Sequence, residues 1–419
     1  MSLKTVVKNI GWLGLIRVMN YAIPLATLPV VTRAFGPHIY GVFATINAYA
    51  TYVGVLTSYG FDAAGPRAIV LSRERGLLLS KTASAFIAAQ FLLGGIAMMI
   101  YLAVLPFLPF GREYALVGLI VVVQAFATAI APQWIFIGLE HTRDFALVQL
   151  VARMLAAGLI LLHIRTADDL HLYVSINCIA AVAILILSLF VLRWYGLHWE
   201  TPTAKELLST LRRASGLFFS TVSITLYTTT NVVIVAFVLG PAAAGAFALA
   251  DRVRVVAASI VDPIEDAIYP FLCRIASREE TPGEGWTKRV FFRAVVLLSA
   301  LISLVLFIFS PFIISLVGGK SFEGAIPVLQ ILAFLPLIVG LSNTFGKQTM
   351  LPLHMDREYT YVVTLAALLG VTGGFLLTHQ LGLPGAAFAL LANETCVTVA
   401  FAIIVQRQTN IVSLFLKRA

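Results

Sequence analysis

The sequence has few charged residues for its length. Lys, Arg, Asp and Glu make up 12% of its 419 residues, against 60% hydrophobic residues, and the mean hydropathy is +0.94. A soluble domain typically carries about 25% charged residues on its surface. The composition therefore excludes a soluble globular protein and indicates a membrane protein.

Cysteine is also scarce, and the motifs of several enzyme classes are missing. The 3 cysteines, Cys178, Cys273 and Cys396, show no CxxC spacing, so we expect neither a disulfide nor a zinc site. The sequence has no Walker A motif, no HExxH pair and no histidine cluster. The polar breaks between apolar stretches are at most about 20 residues long, which leaves no room for a soluble catalytic domain. We therefore expect a protein that is not an enzyme and that has no metal or organic cofactor.

What the chain has in abundance is long apolar stretches. About twelve of them contain roughly 20 or more predominantly apolar residues, enough to cross a bilayer as a helix. The pattern predicts an all-α integral membrane protein. The expected spans are 10–34, 38–60, 82–105, 113–137, 142–163, 170–192, 214–238, 241–271, 290–317, 322–345, 358–377 and 383–405.

The two halves of the chain contain copies of one motif. Segment 35–44 is repeated in 239–248 at an offset of 204 residues (240 − 36), and further identities continue at the same offset. A run of such matches without a gap indicates a duplication, so we expect two six-helix lobes, 1–200 and 201–419, related by a pseudo-two-fold repeat. The identical pairs are Gly36 and Gly240, Pro37 and Pro241, Gly41 and Gly245, Phe43 and Phe247, Ala44 and Ala248, Asp62 and Asp266, and Pro66 and Pro270.

Lysine and arginine concentrate in alternate connections between the spans. The other connections hold only Arg112, Arg165 and Lys320. By the positive-inside rule, the basic connections and both termini face the cytoplasm. The same distribution explains the formal net charge of +9, because these residues lie beside anionic lipid headgroups, and it argues against nucleic acid as a partner.

Polar residues inside the spans are the candidate functional groups, because a charge near the bilayer centre costs about 2.5 to 3.5 kcal/mol unless it has a partner or a wet cavity. In the first span the polar positions follow helical spacing and share one face, which predicts a face that lines a water-filled space. For the arginine of this face, lining the cavity and snorkelling toward the cytoplasm both remain open. The residues of this face are Arg17, Asn20, Tyr21, Pro24 and Thr27.

Arg153 lies about 15 Å into the fifth span, near the midplane, where we expect it to face a cavity or an ion pair. The eighth span contains Arg252 and Arg254 together with Asp251, which can pair with Arg254 at i, i+3 spacing. This pair is either structural or faces the substrate. Further along the same span, three acidic residues near the stripe of Asp251 and Arg254 approach the cytoplasmic end, where we expect them to be solvated. They are Asp262, Glu265 and Asp266.

Glu394 lies midway along the last span, and Asn231 lies in the seventh. Glu394 either neutralises one of the arginines or binds a coupling proton or cation. Glu394, Asp251 and Asn231 are therefore the ion-coupling candidates.

Two repeated six-helix halves with cationic groups between them describe a transporter whose site lies between the halves. Arginines presented to a cavity favour an anion, and the planar guanidinium group suits phosphate in particular.

Several segments together resemble the polysaccharide-export flippases, the Wzx-type O-antigen translocases. They are Phe-Gly-Pro-x-x-Tyr-Gly-Val-Phe-Ala at 35–44, Gly-Pro-Arg-Ala at 65–68, Gln-Trp-Ile-Phe-Ile-Gly-Leu-Glu at 133–140, Leu-Ser-Asn-Thr-Phe-Gly-Lys-Gln at 341–348 and Leu-Gly-Leu-Pro-Gly-Ala-Ala at 381–387. The resemblance covers nearly the whole chain and belongs within the multidrug, oligosaccharidyl-lipid and polysaccharide exporter group.

This resemblance implies movement of an undecaprenyl-pyrophosphate-linked oligosaccharide from the cytoplasmic to the periplasmic leaflet of a bacterial inner membrane, by alternating access driven by a proton or sodium gradient. The pyrophosphate would bind some of Arg17, Arg153, Arg252 and Arg254. Related lipid II flippases place acidic and amide groups for a cation in the seventh, eleventh and twelfth spans. Here the seventh span has Asn231 where Asp would be expected, which leaves Glu394 as the proton-site hypothesis. A polysaccharide polymerase and a chain-length regulator are candidate partners.

Three alternatives remain. A drug or metabolite exporter of the same group would be expected to present acidic cavity residues to cationic drugs. A passive lipid scramblase would need no gradient. A membrane-bound glycan polymerase would change the chain length of its product rather than its sidedness.

Overall fold

The computed structural model describes residues 3–74, 79–276 and 284–408, and every regular element within these ranges is a helix. The predicted all-α class is therefore confirmed. By the packing of its backbone the chain divides into two compact units, Met1–Thr225 and Leu226–Ala419.

The first unit is formed by seven helices and the beginning of an eighth. Helix α1 packs against α3, α4 and α6, α4 packs against α7, and α2 packs against α5. The helices are α1 (Leu3–Ser58), α2 (Phe61–Glu74), α3 (Leu79–Val104), α4 (Ala115–Ile130), α5 (Gln133–Gly138), α6 (Thr142–His163), α7 (Leu170–Trp194) and α8 (Ala204–Leu239).

The second unit contains the end of α8 and the remaining helices. Helix α9 packs against α12, and α13 packs against both α11 and α14. These helices are α9 (Pro241–Ala258), α10 (Asp262–Ala276), α11 (Glu284–Gly318), α12 (Ala325–Leu332), α13 (Leu335–Phe345) and α14 (Asp356–Gln408), with a π-helical turn (Gly346–Met350) after α13.

Nine helical runs within the described residues are long and apolar enough to cross a membrane. Two of these runs, 14–73 and 356–407, each contain two predicted spans joined at a kink. The helices α9 and α10 are more polar and are not among the nine runs. Each predicted span is therefore mainly helical within the described residues. Their outer faces carry large exposed apolar side chains, such as Ile179 and Leu297, as expected for surfaces in contact with lipid.

Glycines with positive φ angles form the sharp bends between paired spans. Gly36 bends α1 with φ 63° and ψ 176°, and Gly382 bends α14 with φ 65° and ψ −145°. Gly240 has φ 87° and ψ 177° directly before α9. A residue with a Cβ atom is strained in this region of backbone conformation, so these bends depend on glycine.

Three predicted spans are interrupted rather than continuous. The fourth breaks at Ala131 and Pro132 between α4 and α5, and the tenth breaks between α12 and α13. The eighth breaks between Ala258 and Asp262. Pro263 explains this break, because it has no N–H group with which to continue the hydrogen bonds of α9, and it is tolerated here in the first turn of the new helix α10. The expected span 241–271 is therefore two helices, and the expectation that Asp262, Glu265 and Asp266 lie near the stripe of Asp251 and Arg254 on one helix was wrong.

The first turns of α8 pack within the first unit. Lys81 Nζ lies 2.7 Å from Glu206 Oε1, and the ring of Phe218 stacks on that of Tyr59 with centroids 4.3 Å apart. The hydrogen bonds that Glu206 accepts from Lys81 and from the backbone N–H of Thr203 lower its pKa to about 2, so this contact carries charge at all ordinary pH values. These contacts explain why the compact units divide inside α8, whereas the expected lobe boundary at 200–201 stays a prediction.

Candidate functional site

The polar face predicted for the first span meets a polar face of α6 inside the first unit. Gln149 Nε2 donates a hydrogen bond to Asn20 Oδ1 at 3.4 Å. Gln149 is only 6% exposed, and its Oε1 has no hydrogen-bond partner among the described residues. Arg153 is half-buried one helical turn further along α6, on the same face as Gln149. The two helices thus bring Asn20, Gln149 and Arg153 into one polar region.

The other predicted residues of this face differ in their surroundings. Tyr21 is half-buried beside Asn20. Thr27 is buried, and its hydroxyl donates to the backbone oxygens of Ile23 and Pro24 at 3.3 and 3.1 Å, so the face is packed rather than open at that depth. The side chain of Arg17 lies outside the described residues.

A second polar region lies inside the second unit, around Glu394. Glu394 is 8% exposed, its carboxylate accepts a hydrogen bond from the Tyr227 hydroxyl, and it interacts electrostatically with Arg254. Asn231 is buried one turn from Tyr227 and donates its Nδ2 to the Tyr227 backbone oxygen at 2.8 Å. Both predicted residues, Asn231 of α8 and Glu394 of α14, are therefore linked to Tyr227.

Arg254 also forms the ion pair expected with Asp251. Its Nε and Nη2 lie 3.0 and 2.5 Å from Asp251 Oδ1, and the two side chains are 14% and 21% exposed. Arg254 thus interacts with two carboxylates, and the three groups together carry one net negative charge when both acids are ionised. The Glu394 carboxylate interacts electrostatically with Arg254, Tyr227 and Tyr359, and Arg252 on the same helix as Arg254 is half-buried.

Glycines in the first half of α14 allow this close packing. A Cβ atom added at Gly370 would lie 2.8 Å from Tyr227 Cβ and 3.1 Å from Asn393 Nδ2, and one added at Gly374 would lie 3.1 Å from Asn231 Oδ1. The eleventh span therefore contributes backbone surface to this region in place of a carboxylate.

The acidic residues of α10 form a third polar region. Glu265 is 2% exposed and accepts a hydrogen bond from Asn343 Nδ2 at 2.9 Å, so the expectation that it is solvated was wrong. Its chain neighbour Asp266 lies 3.3 Å from Lys347 Nζ, and both of those side chains are near 40% exposed, at 37% and 40%. Glu265 is buried because α13 and the π-helical turn cover the first turn of α10.

Sequence reasoning missed Gln149, Tyr227 and Asn343. A signal existed for the first two, since Gln149 is four residues from Arg153 and Tyr227 is four residues from Asn231, which places each on the face of a predicted residue. Asn343 had no such signal, because its partner Glu265 is 78 residues away in the chain.

A comparison with known protein families and proteins finds a matching family and two similar proteins. A family model described as polysaccharide biosynthesis protein matches residues 6–276. A protein of Escherichia coli (strain K12) named "Putative O-antigen transporter" is 26% identical over 394 residues, which cover 93% of this chain and 94% of that protein. A protein of Shigella dysenteriae with the same name is 21% identical over 397 residues, with 94% and 98% covered.

Solved structures share the fold at low sequence identity. An inward-facing multidrug resistance transporter of the MATE family has a TM-score of 0.73 at 15% identity and covers 94% of both chains. The lipid II flippase MurJ in an inward closed conformation has a TM-score of 0.66 at 12% identity, with 97% of this chain and 88% of that chain covered. The fold is thus that of these multi-helix transporters.

Proposed function

The chain belongs to the polysaccharide biosynthesis protein family, and on that premise we propose that it is a flippase for a lipid-linked oligosaccharide. The substrate is an O-antigen or related repeat unit carried on undecaprenyl pyrophosphate, and it moves from the cytoplasmic to the periplasmic leaflet of a bacterial inner membrane. Two relatives that match almost end to end and are named for O-antigen transport support this choice of substrate.

The polar region of the first unit is the proposed binding site for the headgroup. Arg153 supplies a cation suited to a pyrophosphate oxygen, and the buried Oε1 of Gln149 is an acceptor that a sugar hydroxyl can satisfy. Asn20 holds Gln149 in place from α1. By helical spacing Arg17 comes one turn before Asn20, and it is the second cation of the proposed site. The contact between Asn20 and Gln149 is the observation that carries the proposal, because it joins the polar faces of two spans at the depth of Arg153.

The polar region of the second unit is the proposed coupling site. Glu394 alternates between a protonated and an ionised state, and Arg254 responds because it interacts with both Glu394 and Asp251. Ionised Glu394 competes with Asp251 for Arg254, whereas protonated Glu394 leaves Arg254 with Asp251. Proton binding thus biases the packing of α9 against α14, which supplies the two-state element that alternating access requires. A polymerase and a chain-length regulator would act on the translocated unit.

Sidedness of the lipid-linked sugar tests the proposal. The protein is reconstituted in liposomes with fluorescent undecaprenyl-pyrophosphate oligosaccharide, and exposure to an external lectin is followed with and without an imposed proton gradient. We expect exposure that depends on the protein and accelerates with the gradient. Exposure of equal rate without the gradient would indicate a scramblase, and no exposure with any lipid-linked sugar would favour an exporter of other substrates.

The length of the glycan product distinguishes a flippase from the remaining alternative, a membrane-bound glycan polymerase. In the same liposomes a polymerase would join the supplied repeat units, whereas a flippase leaves their length unchanged. Longer chains from purified protein would overturn the proposal.

A further inference from the structure

Two carboxyl groups among the described residues have almost no exposed surface, Glu265 at 2% and Glu394 at 8%. The proposed function uses only Glu394. Because the Glu394 side chain has little exposed surface, a coupling role also requires a route by which protons reach it from water. Glu265 lies in the same unit and has no other assigned role.

The surroundings of Glu265 connect it to water. Asn343 Nδ2 donates to its carboxylate at 2.9 Å, and the charged groups that face it are Lys347 from the π-helical turn and Asp262 and Asp266 from its own helix. The pair of Asp266 and Lys347 is exposed by about two fifths, at 37% and 40%. Glu265 therefore has a chain neighbour with an exposed side chain while its own carboxyl group is enclosed.

The other side of the π-helical turn leads toward Glu394. A Cβ atom added at Gly346 would lie 2.7 Å from Phe401 and 3.1 Å from Tyr359, so the turn packs directly on these rings, which stack with centroids 5.1 Å apart. Tyr359 interacts electrostatically with Glu394. Phe401 follows Glu394 by seven residues of α14, about 10 Å along the helix. The buried hydroxyl of Thr398 lies on this segment and bonds the backbone oxygens of Glu394 and Ile338 at 2.8 and 3.2 Å.

Gln348 lies in the same π-helical turn and has buried polar atoms that water can bind. It is 2% exposed, and neither its Oε1 nor its Nε2 has a hydrogen-bond partner among the described residues. Leaving such buried groups unpaired is unfavourable, and buried water is the usual partner for them. Turns of π-helix are also frequent at functional sites.

We propose that Glu265 is the proton-exchange group that connects Glu394 with the water beside Asp266 and Lys347. This inference rests on the proposed function, since it supplies the proton that drives it. Glu265 takes a proton from water and passes it along water molecules past Tyr359 and Thr398 to the Glu394 carboxylate. Each transfer breaks one O–H bond and forms another, so atoms and charge balance, and release follows the same path in reverse.

Glu265→Gln tests the proposal, because glutamine can still accept from Asn343 but binds no exchangeable proton. Three rates are measured in the liposomes: gradient-driven exposure of the lipid-linked sugar, proton flux reported by a lumenal pH dye, and exposure without a gradient. We expect the first two to fall at least tenfold while the third stays within twofold. Glu265→Asp should restore the first two.

The control variant is Glu358→Gln, which removes an exposed carboxylate beside Tyr359 and should change none of the three rates. Unchanged proton flux in Glu265→Gln would overturn this inference while leaving the flippase in place. A loss of all three rates that Glu265→Asp does not restore would overturn it as well, because it would indicate a purely structural role. A wild-type protein without gradient-driven exposure would overturn the proposed coupling and this inference together.

Discussion

Gly36 and Gly240 adopt the same backbone conformation at equivalent places in the two halves of the chain. Their φ angles are 63° and 87°, their ψ angles are 176° and 177°, and each is followed by a proline. This combination is essentially restricted to glycine. The bend between paired spans is therefore a repeated feature of the duplicated unit.

Replacing either glycine with alanine should destabilise the protein. We expect Gly36→Ala and Gly240→Ala each to cost about 1–3 kcal/mol, because a Cβ atom is strained at this backbone conformation even though neither site lacks space. Thermal unfolding in detergent measures the effect. Gly158→Ala is the control, since this glycine is helical and also has open space around it, and it should be neutral or slightly stabilising. Equal unfolding temperatures for all three variants would contradict the expectation.

Features set by neighbouring residues could be predicted from the sequence. The repeated glycine bends followed from one motif at two positions, and the pair of Asp251 and Arg254 followed from helical spacing. The break before Pro263 could also be predicted, because a proline has no N–H group with which to continue the preceding helix. The continuous span drawn through it ignored that local signal.

Features set by contacts between distant helices could not be predicted in the same way. Asn20 was identified as polar, but its partner Gln149 is 129 residues away and depends on how α1 packs on α6. Glu265 was expected in solvent because it is near the end of a span, and its burial depends on the cover supplied by Asn343. Depth along a helix does not determine which neighbours enclose a side chain.

Gln149 should matter for function more than for stability. We expect Gln149→Leu to lower gradient-driven translocation about tenfold at limiting substrate, since about 1.4 kcal/mol of binding corresponds to that factor. Its stability should be unchanged or higher, because the variant removes an unpaired buried oxygen and only one long hydrogen bond, of 3.4 Å.

A second glutamine is the matched control for this prediction. Gln90 is fully buried, at 0% exposure, and like Gln149 it has an Oε1 without a partner among the described residues, but its Nε2 donates a shorter bond, of 2.9 Å, to the Ala129 oxygen between α3 and α4. Because Gln90→Leu breaks this shorter bond and leaves the Ala129 oxygen without its donor, it should lower the unfolding temperature more than Gln149→Leu does, and it should leave the substrate dependence of the remaining activity unchanged. The reverse pattern in the two variants would argue against a substrate role for Gln149.

Two neighbouring glycines of α14 should differ in how well they tolerate replacement by alanine. We expect Gly370→Ala to destabilise by about 1–3 kcal/mol, because its Cβ atom would lie 2.8 Å from Tyr227 Cβ and would force α14 away from α8. Gly373→Ala, only three residues further on, has nothing within 4 Å and should be tolerated. Thermal unfolding of both variants checks this, and similar losses would show that the close approach to Tyr227 is not what limits this helix.

Asp251 and Glu394 share one arginine, so removing one acid should change how the other takes up a proton. In Asp251→Asn, Arg254 loses its partner at 2.5 Å and is free to pair with ionised Glu394. Ionised Glu394 then gains stability, and protonating it requires a more acidic solution. We therefore expect the pH profile of gradient-driven translocation to shift toward acid in this variant. Glu323→Gln, which removes an exposed acid of the same unit, should leave the profile in place. A profile that is unchanged, or that moves toward alkaline pH, in Asp251→Asn would mean that Asp251 does not hold Arg254 away from Glu394, and the proposed competition between the two carboxylates would have to be abandoned.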